Sequence, residues 1–92
     1  TYHSILKVPP GQTIPYHKDK HYKIQKKYGE GNTFRYWITL EDWKSGHYFD
    51  VNDRPFFNWK KGDYIKFSNE WHTGGNMGRE PKYVAQITCL TL

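Results

Sequence analysis

Hydrophobic positions along this chain fall in short runs bounded by glycine and proline. No apolar repeat of 3.6 residues persists long enough to build a packed helix. Thr33–Leu40, Thr-Phe-Arg-Tyr-Trp-Ile-Thr-Leu, is the strongest strand, because most of its residues are β-branched or aromatic. Ser4–Val8 and Gln12–Asp19 are predicted strands before it. His47–Val51, Phe56–Trp59, Tyr64–Ser68, Glu70–Gly74 and Lys82–Leu92 follow it. The punctuation between them is Pro9-Pro10-Gly11, Ser45-Gly46, Asn52-Asp53-Arg54-Pro55, Lys60-Lys61-Gly62-Asp63 and a Gly74–Gly78 loop. Lys20–Asn32 reads as a polar, lysine-rich connection. About eight short strands at this spacing predict an all-β fold with little or no helix, a jelly roll of two sheets closing over a central cavity.

Length and composition narrow this picture. Ninety-two residues make one domain spanning 1–92. The chain is polar, with a mean hydropathy of −0.97. Yet 18% of it is aromatic, enough to bury a core and to exclude intrinsic disorder. No apolar run is long enough for a membrane helix, and the first residues carry no signal-peptide pattern, so a cytoplasmic location is expected. Cys89 is the single cysteine, which removes internal disulfides and cysteine-rich zinc sites. The net charge of +5 permits phosphate or acidic ligands, but the basic residues form no single stripe. The chain begins without methionine and already in a strand, so the ordered part of a longer chain, or a core stripped of flanking helices, is expected.

Two of the five histidines stand out. His3, His21 and His47 read as surface or packing residues. His17-Lys18-Asp19 places an imidazole and a carboxylate at i and i+2, and on a strand those positions share a face. His72 follows 55 residues later. Two histidines and one carboxylate form the facial triad that suits non-haem Fe(II) and leaves coordination positions open. Lys82 follows His72 by ten positions and opens the last strand, where its cation can anchor a carboxylate beside the metal. On Thr33–Leu40, alternation divides Arg35, Trp37 and Thr39 from Phe34, Tyr36, Ile38 and Leu40. The first set holds the charge and the hydroxyl and is oriented toward the site, whereas the second reads as packing. Asn76 and the glycine loop border the mouth.

Taken together, His17-x-Asp19, the distal His72 and the basic Lys82 resemble the 2-oxoglutarate/Fe(II)-dependent dioxygenases, over nearly the whole chain. Lysine at that last position is similar to the prolyl 4-hydroxylase branch. Phe34–Leu40 with Trp59-x-x-Gly62, Phe67 and His72 is similar to the aspartyl/asparaginyl β-hydroxylase branch. The resemblance implies a double-stranded β-helix, Fe(II) on His17, Asp19 and His72, and 2-oxoglutarate anchored by Lys82. Arg35, Trp37 and Thr39 would line the cosubstrate site, and Arg79 is a rival for its carboxylate. Dioxygen would be the oxidant. The implied reaction releases succinate and carbon dioxide, and a ferryl species then abstracts hydrogen to hydroxylate a peptide side chain or small molecule. Lys82-Tyr83-Val84 departs from the Arg-x-Ser of many members, so another group must replace that serine.

Two other readings compete. Gly11 with His17, and Gly62 with His72 and Asn76, echo the two motifs of the cupins, which suggests another metal-binding cupin. A jelly-roll binding module without chemistry is the third reading. A peptide or small-molecule partner is preferred to nucleic acid. A homodimer paired through a sheet face is open.

Overall fold

The computed structural model describes residues 2–17, 32–68 and 70–91. Among them eight strands form: β1 Tyr2–Val8, β2 Thr13–His17, β3 Asn32–Thr39, β4 His47–Val51, β5 Arg54–Phe56, β6 Tyr64–Phe67, β7 His72–Asn76 and β8 Lys82–Thr91. No helix long and apolar enough to cross a membrane occurs among the described residues. The strands make two four-stranded sheets, ordered β1-β8-β3-β6 and β2-β7-β4-β5, with every pairing antiparallel. This is the predicted jelly roll, in which the chain passes repeatedly from one sheet to the other.

Two predicted strands shift the most. The fifth strand is Arg54–Phe56 rather than Phe56–Trp59. Asn52 and Asp53 take positive φ (55° and 65°), so a two-residue turn joins β4 directly to Arg54. The seventh strand is His72–Asn76 rather than Glu70–Gly74, and the expected loop at Gly74-Gly75-Asn76 is paired strand. Asp19, His21 and nearly all of the lysine-rich connection lie outside the described residues.

The core lies where the two sheets face each other. Trp37 of β3 stacks on Phe49 of β4, with ring centroids 4.2 Å apart and planes 8° from parallel. Trp59 meets Trp37 edge-on at 5.2 Å, and Phe67 and Val84 complete the buried cluster. Alternation along β3 places Thr33, Trp37 and Thr39 inside, all three buried. The more apolar set, Phe34, Tyr36 and Ile38, therefore faces outward. This reverses the packing role expected for it, since the inner face of β3 is claimed by the larger indole and by polar groups with partners.

The turns are fixed by specific bonds. Gly62 has a φ of +92°, which a side chain would strain. Asp63 Oδ2 accepts from the Lys60 amide at 3.0 Å, closing the same turn. We expect Trp59→Ala to lower unfolding free energy by about 3–5 kcal/mol, read as a shift of the urea midpoint at unchanged slope.

Candidate metal centre

His17 closes β2 and His72 opens β7, and the two are cross-strand partners. Their ring centroids lie 4.3 Å apart, tilted by 56°. The register explains how they meet. Ile14 pairs with Gly74 and His17 with His72, so β2 spends three steps where β7 spends two. The extra residue is a β-bulge. It falls at Pro15-Tyr16, where proline's missing N–H costs no ladder bond. Without the bulge, Ile14 and His17 would face opposite sides of the sheet; with it, both line the same cavity. Outside, the preceding residues Tyr16 and Trp71 stack with centroids 5.8 Å apart and planes 2° from parallel. The Thr73 hydroxyl donates to the Ile14 carbonyl across the same junction.

Both imidazoles are oriented alike. His17 Nδ1 lies 2.7 Å from Pro15 O, and His72 Nδ1 lies 3.0 Å from Glu70 O. A carbonyl only accepts, so each Nδ1 donates, and in the neutral ring Nε2 is then the atom that can ligate a metal. The His72 ring is 4% exposed and packs on Phe67 at 4.7 Å and Phe49 at 6.0 Å. No cluster of three or more histidine, cysteine or acidic residues able to hold a metal occurs among the described residues. The third ligand expected from the motif, Asp19, lies outside them.

The histidines border a cavity of about 200 Å³. Leu6, Val8, Ile14, Trp37, Phe49 and Val84 form its apolar wall, and Arg35, Lys82 and Gln86 supply polar groups. Lys82 is 3% exposed. Its Nζ donates to Tyr48 O at 3.0 Å and sits 5.4 Å from the centroid of the Trp37 ring. Burial away from water pushes the amine down from 10.5 to about 8. Arg35 Nε donates to Thr88 Oγ1 at 3.0 Å, which aims the half-buried guanidinium from β3 toward β8. No acidic residue lines the cavity among the described residues.

The predicted residues thus divide. His17, His72, Lys82, Arg35 and Trp37 share one cavity. Thr39 stands apart. It is buried, and its hydroxyl donates to Lys60 O (2.9 Å) and Asp63 O (3.2 Å), pinning the turn before β6. Arg79 is exposed on the segment between β7 and β8, away from the cavity lining. Asn76 is fully buried rather than at a mouth. Its Nδ2 donates to Val8 O and Glu80 O, and its Oδ1 accepts from the Gly78 amide. His47 is buried, with Nε2 2.8 Å from Glu80 O. Gln86 and Gly74 are cavity residues that motif reasoning missed. Gln86 was legible from parity with Lys82 and Val84 on one strand. Gly74 sits in a crowded place, where a Cβ would lie 3.0 Å from Phe49 and 3.4 Å from Lys82 Nζ.

The lowered Lys82 value has a definite sign. Between pH 8 and 10.5 the unfolded chain keeps a proton that the folded chain has released, so this group adds stability as pH rises through that window. The stability difference between wild type and Lys82→Met should therefore move in favour of wild type by about 3 kcal/mol from pH 8 to pH 10.5, at about 1.4 kcal/mol per pH unit. Urea unfolding of both proteins across that range measures it, and a difference independent of pH would contradict the buried placement.

No known family and no curated protein matches the chain by sequence. Solved structures do match by shape. A predicted oxalate decarboxylase from Thermotoga maritima superposes with a TM-score of 0.68 at 21% identity, over 97% of this chain and 65% of that one. A Photorhabdus luminescens protein gives 0.65 at 17% identity, over 94% and 59%. A cupin protein from Bacteroides fragilis gives 0.66 at 13% identity, over 97% and 64%. The chain therefore spans less than two thirds of each of these proteins. The likeness runs to cupin-fold proteins. At these identities it is a likeness of fold, and the fold is the cupin-type jelly roll.

Proposed function

We propose that this chain is a metal-binding protein of the cupin type, in which a metal held by His17 and His72 faces a small anionic ligand in the cavity between the two sheets. The observation that carries this reading is the cross-strand meeting of the two imidazoles, each with Nδ1 committed to a carbonyl, beside a cavity that holds Lys82 and Arg35. Asp19, two residues beyond His17, is the carboxylate ligand in this proposal. The donor set fits a divalent iron-like ion, because imidazole and carboxylate suit it and a three-ligand site keeps positions open. A bound ferrous ion would supply Lewis acidity and redox chemistry.

The chain's own residues do the rest. Phe67 and Phe49 hold the His72 ring in place. Trp37, Val84, Leu6 and Val8 form an apolar wall, which strengthens the charge interactions beside it. Lys82 binds a carboxylate of the ligand and is itself held by Tyr48 O. A carboxylate arriving beside that amine favours its protonated form, so ligand binding and proton uptake are coupled. The name of the Thermotoga maritima neighbour, a predicted oxalate decarboxylase, fits a ligand with more than one carboxylate.

A narrower reading is the 2-oxoglutarate- and Fe(II)-dependent oxygenase, with dioxygen as oxidant and a peptide or small molecule as substrate. The buried Lys82 amine in the cavity beside the histidines is the feature that favours it.

Anaerobic titration separates the two. The protein should bind one Fe(II) per chain, and His72→Ala should weaken that binding at least 10-fold while leaving the far-UV spectrum unchanged. Adding 2-oxoglutarate to the loaded protein should produce a visible charge-transfer band if the narrower reading holds. Metal binding without that band supports the broader reading alone. A folded protein that binds no divalent metal overturns both.

A further inference from the structure

We propose that the stacked rings of Tyr16 and Trp71, on the outer side of the β2–β7 pair, position the imidazoles of His17 and His72 by fixing the peptide planes whose carbonyls orient them. This rests on the reading of the two histidines as metal ligands. Each outer ring is joined directly to the group it holds. The Pro15 carbonyl that faces His17 Nδ1 at 2.7 Å belongs to the peptide bond leading into Tyr16. The Glu70 carbonyl that faces His72 Nδ1 at 3.0 Å belongs to the peptide bond leading into Trp71. Consecutive residues of an extended chain point to opposite sides. The imidazoles therefore turn inward and the two rings outward, where they lie 5.8 Å apart and 2° from parallel. In an antiparallel register anchored at His17 and His72, Tyr16 and Trp71 are diagonal neighbours, a separation that large rings bridge. The stack thus ties the two carbonyls into one unit.

The backbone leaves this step loosely held. β2 pairs with β7 at Thr13, Ile14 and His17, and Pro15 and Tyr16 between them have no ladder partner. Proline brings no N–H of its own. A slip of one residue here would turn His17 to the outer side. Other contacts supply the missing constraint, and they gather at this junction. The Thr73 hydroxyl donates to the Ile14 carbonyl where the bulge begins. The turn between β4 and β5 grips from the other side. The Asn52 amide donates to Trp71 O at 2.7 Å, and the Tyr16 hydroxyl lies 3.5 Å from Asp53 Oδ1. The two imidazoles depend on the stack unequally. His72 is buried and wedged against Phe67 and Phe49. His17 is half-buried at the end of its strand, so its orientation leans more heavily on the outer rings. Tyr16 and Trp71 are themselves 41% and 45% exposed. Rings this open add little to the core, which suits a role in orientation.

Long-range proton–nitrogen NMR of the metal-free 92-residue chain reads which nitrogen of each imidazole carries the proton, at about pH 8, where an ordinary imidazole is neutral. Wild type should show the Nδ1–H tautomer at both His17 and His72. Trp71→Ala and Tyr16→Ala should each turn His17 into a mixture of tautomers and change His72 less. Trp71→Phe, which keeps a ring to stack, should restore the single tautomer. In anaerobic titration both alanine variants should bind Fe(II) about 10-fold more weakly than wild type, with Trp71→Phe close to wild type. Phe57→Ala removes an aromatic ring that is 52% exposed and packs on Trp43, and it should change neither readout. A His17 tautomer unchanged in both alanine variants overturns the inference, as does an equal change in Phe57→Ala. The NMR arm needs no metal. A folded wild-type chain that binds no iron therefore counts against the metal reading, while the His17 tautomer still decides this inference.

Discussion

One ring contact ties the two sheets together. The Trp37 indole reaches from β3 across the gap between the sheets and lies flat on Phe49 of β4. Facing sheets sit about 10 Å apart, a distance that two large rings fill. The edges of the same indole meet Phe56 and Trp59, which close the core on one side. On another side it meets the Lys82 amine and forms part of the cavity wall. Phe49 in turn touches the His72 ring. The core and the site are therefore one packed object. Whatever holds the sheets at their spacing also holds the imidazole and the buried cation, so the site is built on stiff elements rather than on loops.

Most of this fold was legible in the sequence. The strand count, the all-β class and the cavity between two sheets followed from short β-branched and aromatic runs separated by turn residues. The glycine run was misleading. Glycine is a poor strand residue, so Gly74-Gly75-Asn76 reads as a loop. It is strand because it pairs on both sides, with β2 and β4, and close neighbours suit glycine there. A Cβ on Gly75 would lie 2.6 Å from the Tyr48 hydroxyl oxygen, and one on Gly74 would press on Phe49. Such a requirement belongs to tertiary packing and leaves no local trace.

That His17, His72 and Lys82 share one cavity was legible, but for a reason only partly contained in local spacing. The i, i+2 rule links His17 to Asp19 and is silent on whether either faces inward. What turns His17 inward is the bulge at Pro15-Tyr16, which a proline inside a predicted strand hints at and only the pairing with β7 reveals. Thr39 shows the converse. It shares the inner face of β3 with Arg35 and Trp37, so alternation groups the three. Yet four residues along a strand span about 13 Å, which separates Thr39 from Arg35 and puts it at the turn before β6. Parity says which face a residue occupies and nothing about how far along that face the chemistry extends.

β3 also inverts the usual sense of a sandwich strand. Arg35 and Thr39 point in, whereas Phe34, Tyr36 and Ile38 point out; on β8, Lys82 points in and Ile87 out. A strand patterned this way loses stability twice, once by dehydrating charge and once by leaving apolar surface in water. Arg35 and Thr39 recover part of the first loss through bonds to Thr88 and to the Lys60–Asp63 turn, and Lys82 through Tyr48 O. A single carbonyl does not replace the hydration of an ammonium group, and the lowered value of Lys82 registers the deficit. Both costs arise from the same two-residue period of the strand. The inversion is therefore intelligible as one arrangement, in which the same alternation that furnishes the cavity with cations leaves the opposite side of the sheet apolar.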